Sequence, residues 1–267
     1  MKLNIVPART GVQWVKLGIK TFGKQPLALT GLFFMYTATF SILLLVPVIG
    51  FVLALGIVPA ATLGLMAATQ EAEKGRFPMP TVLLSAFRAG KQQLRAMLVL
   101  GLLYAGACMI VMTLLPLLVD VPQQQTPATT EAMLTPQFQL MLLVGTALYL
   151  PVSLMFWHAP ALVHWHGVSP VKSLFFSTVA CLRNARAFLM YALAWVVVVF
   201  AAALLITLVA TMTSNPQVAA AALMPLGLLI TAMFSTSLYF TFRDSFVAEP
   251  DPDPDPEPEQ QSSGDPP

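Results

Sequence analysis

Charged residues are scarce in this sequence. Of its 267 residues, 14 are Lys or Arg and 12 are Asp or Glu, so only 10% are charged, against about 25% in a typical soluble domain. Hydrophobic residues make up 57% of the chain. This balance excludes an ordinary soluble globular domain and predicts an all-α integral membrane protein.

Charge is missing altogether from the interior of six apolar segments, each about 20 residues or longer, enough to cross roughly 30 Å of hydrocarbon as a helix. An ion-coupled transporter usually keeps an ionisable residue within its spans, so this absence argues against that class. The tight link after the first span predicts antiparallel neighbours, and the whole set is predicted to form three helical hairpins. The six segments are 27–46, 48–69, 96–119, 138–159, 188–211 and 218–242.

Recognisable catalytic and redox motifs are also missing. The two cysteines are Cys108, about halfway along the third span, and Cys181, in the charged segment before the fifth, and neither has the spacing of a metal or redox site. The chain has no P-loop, nucleophile elbow or zinc-protease motif. The sequence therefore predicts a protein that is not an enzyme and that has no cofactor.

Three histidines and two tryptophans form the densest group of potentially reactive side chains. His158, His164 and His166 lie beside Trp157 and Trp165. His164 and His166 are two residues apart and point to different sides of a helix, and no Cys or acid lies nearby in sequence to complete a zinc site. We predict that these side chains are anchors at the cytoplasmic membrane boundary rather than metal ligands.

Three segments that precede the predicted hairpins combine a basic side with an apolar side. They cover residues 12–26, 81–95 and 169–186, and the first includes Trp14, a ring typical of membrane interfaces. Each is predicted to be an amphipathic helix in the membrane interface, whose cations contact anionic lipid headgroups rather than nucleic acid. The predicted headgroup contacts are Lys16, Lys20, Lys24, Arg88, Lys91, Arg95, Lys172, Arg183 and Arg186.

Small residues recur every fourth position along the second span. Gly56, Ala60, Gly64 and Ala68 form a ridge that lets another helix backbone approach closely. Packing within the monomer is favoured over a dimer interface, although the spacing allows both.

Hydroxyl side chains in the first and sixth spans are candidates for contacting a transported solute. Bonds to the carbonyls of their own helix, or between helices, are the commoner role of such groups. The candidates are Thr37, Thr39, Ser41, Thr231, Ser235, Thr236 and Ser237.

Lys and Arg lie only on one side of the predicted membrane. Five precede the first span, five lie between the second and third, three between the fourth and fifth, and one follows the sixth. The bias of Lys and Arg towards the cytoplasm therefore predicts that both termini are cytoplasmic. Seven of the 12 acids lie in residues 248–267, where they alternate with Pro, which predicts a disordered acidic tail that could also bind a partner protein.

Several stretches resemble a known family. MKLNIVPARTGVQWVKLGIKTF, LVPVIGFVLALGIVPAATLGLMAAT, FPMPTVLLSAFRAG and LVHWHGVSPVKSLFFS resemble an uncharacterised family of proteobacterial inner-membrane proteins. More distantly, the Pro47, Gly50, Pro59 and Gly64 pattern is similar to six-span bacterial membrane domains, some of which are joined to glycerophosphodiester phosphodiesterases. The catalytic domain of those enzymes is absent, so the resemblance implies location and fold but no hydrolase activity.

These features favour a non-enzymatic inner-membrane protein that organises lipids or partner proteins through its basic segments and acidic tail. The alternative is a passive permease or channel for a small or amphiphilic solute. The sequence identifies neither a substrate nor an oligomeric state.

Overall fold

The computed structural model describes residues 2–120, 135–213 and 216–247. Within these ranges the chain is mostly helical, and the predicted acidic tail lies outside them. In chain order the elements are β1 (Lys2–Leu3), α1 (Thr10–Lys24), α2 (Pro26–Leu44), α3 (Gly50–Glu73), a 3₁₀ turn (Pro80–Leu84), α4 (Ser85–Arg88), α5 (Lys91–Leu118), α6 (Pro136–Phe156), α7 (Ala159–His166), α8 (Pro170–Arg183), α9 (Ala185–Thr213), α10 (Pro216–Ser245) and β2 (Phe246–Val247).

The six predicted spans are confirmed as helices long and apolar enough to cross a membrane. They correspond to α2, α3, α5, α6 continued by α7, α9 and α10. Most helix ends differ from the predicted bounds by a few residues, and two differences are the most consequential. The third helix begins at Lys91 rather than at residue 96, and the fourth is interrupted between Phe156 and Ala159, where Pro160 lies at the start of α7.

The three predicted hairpins are confirmed, since α2 packs on α3, α5 on α6, and α9 on α10. The first hairpin has the tightest turn, in which the Gly50 N–H donates to the Val46 carbonyl 3.0 Å away. Val48 in this turn has φ 67°, a left-handed conformation that is uncommon for a β-branched residue. The hairpin reverses direction within a few residues, as the sequence indicated.

The prediction of one continuous amphipathic helix over residues 81–95 is wrong. A 3₁₀ turn and the short helix α4 end at Arg88, and Gly90 has φ +105°, a conformation that breaks a helix and favours glycine. Lys91 and Arg95 consequently lie on the first turns of the membrane helix α5 rather than on an interfacial helix.

The first and third amphipathic segments are helices, as predicted. α8 begins with Pro170 in its first turn after Ser169 in extended conformation, although the Ser169 side chain makes no capping hydrogen bond. α1 packs its apolar side against α9 and α10. A Cβ at Gly18 would lie 2.5 Å from the Ser237 Cβ, so the backbones of α1 and α10 are in close contact.

Packing between the hairpins is concentrated towards the ends that carry the basic segments. The last buried residue of α5 is Cys108, that of α9 is Trp195, and the first buried residue among the described side chains of α10 is Ala232. Beyond these points the side chains whose burial the structure describes are exposed or half-buried in all three helices. In a bilayer the opposite halves of these helices would therefore meet lipid acyl chains rather than protein.

The described ends of the chain pair with each other, a feature that the sequence did not predict. β1 and β2 are antiparallel, with Lys2 opposite Val247 and Leu3 opposite Phe246. The Asn4 N–H also donates to the Ser245 carbonyl over 2.9 Å. Both described ends thus lie on one side of the helical bundle.

Candidate functional site

The basic side of α1 is exposed to solvent, and its other side is buried in the protein. Lys16, Lys20 and Lys24 are all exposed, and the Lys24 ammonium donates to the Glu73 carbonyl 3.1 Å away. The three lysines therefore lie on an exposed polar side of α1, as predicted. The apolar side of α1, however, contacts α9 and α10 rather than lying free against lipid.

Trp14 is not an interface anchor, contrary to the prediction. Its side chain is 0% exposed, and its indole N–H donates to Asp244 Oδ2 over 2.9 Å. Arg243 pairs with Asp244 Oδ1 at 2.8 Å and with Glu73 Oε1 at 2.7 Å. This network joins α1, α3 and α10 beneath the basic side of α1.

The cations of the middle segment lie on both sides of the break at Gly90. Arg88 ends α4, and Lys91 and Arg95 begin α5, and all three are exposed. The neighbouring Phe87 is also exposed. The structure therefore keeps these cations near one another although they do not share one helix.

Helix α8 has two apolar sides. One is buried in the protein and includes Leu174 and Cys181. The other is exposed and is formed by Val171, Phe175 and Leu182, whose side chains are 69%, 64% and 59% exposed and which fall on one stripe at 100° per residue. An exposed apolar stripe of this kind on a short helix is typical of contact with a membrane interface.

The three cations of the third segment are Lys172, Arg183 and Arg186. All three are exposed; the first two lie next to one edge of the apolar stripe of α8, and Arg186 lies in the first turn of α9. Arg186 was predicted to belong to the amphipathic segment. In the structure it lies on the following membrane helix instead.

None of the nine predicted headgroup cations forms an ion pair within the part of the chain that the structure describes. The ion pairs there are Arg76 with Glu71, and Arg243 with Glu73 and Asp244. The hydrogen bond from Arg76 to Glu71 raises the pKa of the guanidinium above its usual value. Within residues 2–120, 135–213 and 216–247, no carboxylate pairs with any of these nine cations.

His158 is buried beside Cys181, which lies 23 residues later in the sequence. His158 is 0% exposed, and its Nδ1 lies 3.8 Å from Cys181 Sγ. Its backbone N–H donates to Ser177 Oγ over 3.0 Å, and Ser177 Oγ donates to the Leu154 carbonyl over 2.7 Å. The prediction that His158 is an interface anchor is therefore wrong, because this side chain lies inside the protein.

The surroundings of this pair are unsuited to nucleophilic chemistry. Burial raises the pKa of the Cys181 thiol to about 12, so the nucleophilic thiolate is scarce at neutral pH. The ring of His158 contacts Phe188, Phe242 and Phe246. Among the described residues, no three His, Cys, Asp or Glu side chains come close enough to hold a metal ion.

The small residues of α3 meet different parts of the same chain. A Cβ at Gly101 of α5 would lie 3.2 Å from the Gly56 carbonyl carbon, and one at Gly64 would lie 2.8 Å from Leu83 Cα. Ala60 packs in a buried cluster with residues of α5, and Ala68 packs in another with residues of α1 and α2. Each position of the ridge is therefore close to another segment of the monomer.

A cavity of about 330 Å³ lies between α3, α5, α6 and α10. The hydroxyl groups of Tyr104 and Tyr149 are 2.8 Å apart and lie on its wall, with Ser153, Trp157 and Phe234. Of these residues, only Trp157 was identified from the sequence, and it was identified as a member of the histidine–tryptophan group rather than of a cavity. Pro59, part of the pattern shared with six-span domains, also lines the cavity.

The hydroxyls that were proposed to contact a solute mostly bond to their own helices. Thr37 donates to the Phe34 carbonyl and Thr39 to the Met35 carbonyl. In α10 the hydroxyls of Thr231, Ser235, Thr236 and Ser237 likewise donate to carbonyls three or four residues earlier. The commoner structural role therefore holds for these residues.

Comparison with known proteins agrees with the membrane architecture. No protein-family model matches the chain, and no solved structure matches it. The chain is 36% identical over 261 residues to a "Probable inner membrane protein" of Burkholderia thailandensis, an alignment that covers 94% of this chain and 96% of that protein. With six apolar helices and this degree of identity along nearly its whole length, the chain belongs to the same family of inner-membrane proteins.

Proposed function

We propose that this inner-membrane protein binds anionic lipid headgroups at the cytoplasmic leaflet and so organises lipids or partner proteins without catalysing a reaction. The observation that carries the proposal is the set of nine exposed cations without acidic partners in the described chain. The exposed apolar stripe of α8 beside Lys172 and Arg183 supports it. The more distant resemblance to six-span domains remains an expectation about location and fold.

The expected strength of the interaction comes from many weak contacts. Each Lys or Arg near an anionic leaflet contributes about 1 kcal/mol, and screening limits this attraction to roughly 8 Å at physiological salt. The cations lie beside membrane helices, where headgroups are within that distance. Nucleic acid would have to approach the same surface against the negative potential of the leaflet.

The orientation is part of the proposal. Both described ends of the chain lie on one side because β1 pairs with β2, and the Lys and Arg residues lie at the same ends of the membrane helices. The bias of such residues towards the cytoplasm supports a cytoplasmic location for this side.

Neutralising the basic side of α1 tests the lipid proposal. Lys16→Gln, Lys20→Gln and Lys24→Gln together should remove about 3 kcal/mol of attraction, which corresponds to a roughly hundredfold weaker affinity for phosphatidylglycerol. Native mass spectrometry of the purified protein, titrated separately with phosphatidylglycerol and phosphatidylcholine, measures this. The matched control replaces the same lysines with Arg and should keep the affinity. Equal retention of both lipids by all three proteins would exclude headgroup recognition by α1.

The second candidate function is passive permeation of a small or amphiphilic solute, which the cavity between α3, α5, α6 and α10 favours. Ser153 lines that cavity, so Ser153→Phe should fill it and reduce solute flux into liposomes several-fold. Val197→Phe, at an exposed position of α9, is the control and should leave flux unchanged. Absence of flux through the wild-type protein across a broad solute panel would rule this function out.

A further inference from the structure

Four exposed cations lie close to the point where the described chain ends. Lys2 pairs directly with Val247, the last described residue. Arg183 and Arg186 lie at the junction of α8 and α9, and Arg9 immediately precedes α1. All four side chains are exposed, and we call this set the exit cluster.

Hydrogen bonds from a buried asparagine hold the parts of the exit cluster together. Asn184 is 1% exposed and lies between Arg183 and Arg186 in the sequence. Its Oδ1 accepts from the Val6 N–H over 2.9 Å, and its Nδ2 donates to the Asn4 carbonyl over 3.0 Å. The N-terminal segment is therefore fixed against the α8–α9 junction.

A close helix contact brings the backbone at Arg9 near the start of α9. Two residues after Arg9, a Cβ at Gly11 would lie 3.0 Å from the Ala187 carbonyl carbon and 2.6 Å from the Tyr191 nitrogen. The start of α1 thus touches the start of α9, one residue from Arg186.

The exit cluster has no acidic partner within the described part of the chain. The nearby acid Asp244 already pairs with Arg243 and accepts the Trp14 indole N–H. Four positive charges are therefore left uncompensated around the position from which residues 248–267 continue.

We propose that the acidic tail, residues 248–267, docks on the exit cluster. The tail carries seven acids and no Lys or Arg, so its charge is opposite to that of the cluster. Glu249 follows Val247 by two residues, and an extended chain covers about 3.3–3.6 Å per residue. The first acids of the tail can therefore reach the cations from where the described chain ends.

The chemistry of the tail favours side-chain over backbone recognition. Its acids alternate with Pro along residues 249–259, and Pro has no N–H to extend the pairing of β1 and β2. The carboxylates instead match the guanidinium groups of Arg183 and Arg186, which can bind a carboxylate through two parallel hydrogen bonds.

Docking has a consequence for lipid binding. Arg183 and Arg186 belong both to the exit cluster and to the nine proposed headgroup contacts, so the tail and anionic headgroups compete for them. This consequence rests on the proposed function, whereas docking itself does not.

The test measures the distance between the tail and the exit cluster in neutral detergent. Spin labels are attached through Ala185→Cys, at an exposed site between the two arginines, and Gln260→Cys in the tail. Cys108 and Cys181 are buried, and protein without introduced cysteines corrects for any background labelling. Pulsed electron paramagnetic resonance should give a short, narrow distance peak at 0.01 M NaCl and lose it at 1 M, as the screening length falls from about 30 Å to about 3 Å.

Charge-reversal variants decide whether the exit cluster is responsible. Arg183→Glu with Arg186→Glu should abolish the short peak, whereas Lys16→Glu with Lys20→Glu, the same change in net charge on α1, should keep it. Docking would be overturned if the labelled protein with both arginines intact showed no short peak at low salt. It would also be overturned if the short peak survived the reversal of both arginines.

Adding phosphatidylglycerol separates the two proposals. If it removes the short peak and phosphatidylcholine does not, docking and competition are both supported. A peak that phosphatidylglycerol leaves unchanged would support docking and contradict headgroup competition at these arginines.

Discussion

Gly11→Ala is expected to destabilise the protein by about 3 kcal/mol, the upper part of the usual range for overpacking. A Cβ at this position would lie 2.6 Å from the Tyr191 nitrogen and closer still to the Ala187 carbonyl oxygen. Both are backbone atoms of α9, so no side chain can rotate away to make room. α1 would have to move off the bundle, and the buried Trp14 would move with it.

Gly23→Ala is the matched control in the same helix. A Cβ there meets no atom within 4 Å, and Ala is favoured over Gly in a helix by about 1 kcal/mol. This variant should be neutral or slightly stabilised. The free energy of unfolding, measured by titrating sodium dodecyl sulfate into the detergent-solubilised protein, gives both values.

The comparison of these variants decides what α1 contacts. If α1 lay loosely on the bilayer, both substitutions would have the same small effect on stability. A loss confined to Gly11→Ala would show that the helix is packed into the protein, and equal stability of the two variants would contradict the fold described for α1.

The amphipathic pattern of α1 predicted its polar side correctly but not the neighbour of its apolar side. Lys16, Lys20 and Lys24 are exposed as expected, whereas Trp14 is buried against α9 and α10. A hydrophobic period indicates which side of a helix avoids water, and both lipid and protein satisfy it. The sequence alone therefore could not distinguish an interfacial helix from one docked on the bundle.

The sequence contained a signal for the break at Gly90 that the prediction of one continuous helix did not use. The spacing of Arg88, Lys91 and Arg95 fits one helical side, and this regularity outweighed the glycine within the segment. Gly90 adopts φ +105°, which a helix cannot accommodate. The three cations therefore lie on two helices, Arg88 on α4 and the other two on α5.

The spans were predictable because the hydrocarbon core allows few alternatives. Backbone groups there must be satisfied internally, so a long uncharged segment forms a helix. The arrangement of the hairpins was not predictable in this way, since nearly every side of these helices is apolar. Two features depend on that arrangement: the cavity near Tyr104 and Tyr149, and the contact of His158 with Cys181. The pairing of β1 with β2 was not predictable either, because two-residue strands are too short to show an alternating hydrophobic pattern.

The central claim is that the basic ends of the membrane helices face the cytoplasm, where the leaflet is anionic. Alkaline phosphatase is active only after export, so fusions to it report the side of each loop. Fusions at Gly75 and Gly167 lie beside the basic segments, and a fusion at Gln125 lies in the sequence between the third and fourth spans.

Enzyme activity in cells carrying each of these three fusions, normalised to the amount of fusion protein, is the most direct measurement. We expect high activity at Gln125 and almost none at Gly75 and Gly167. High activity at Gly75 and Gly167 with none at Gln125 would place the basic side outside the cytoplasm and contradict the proposed contact with the anionic leaflet.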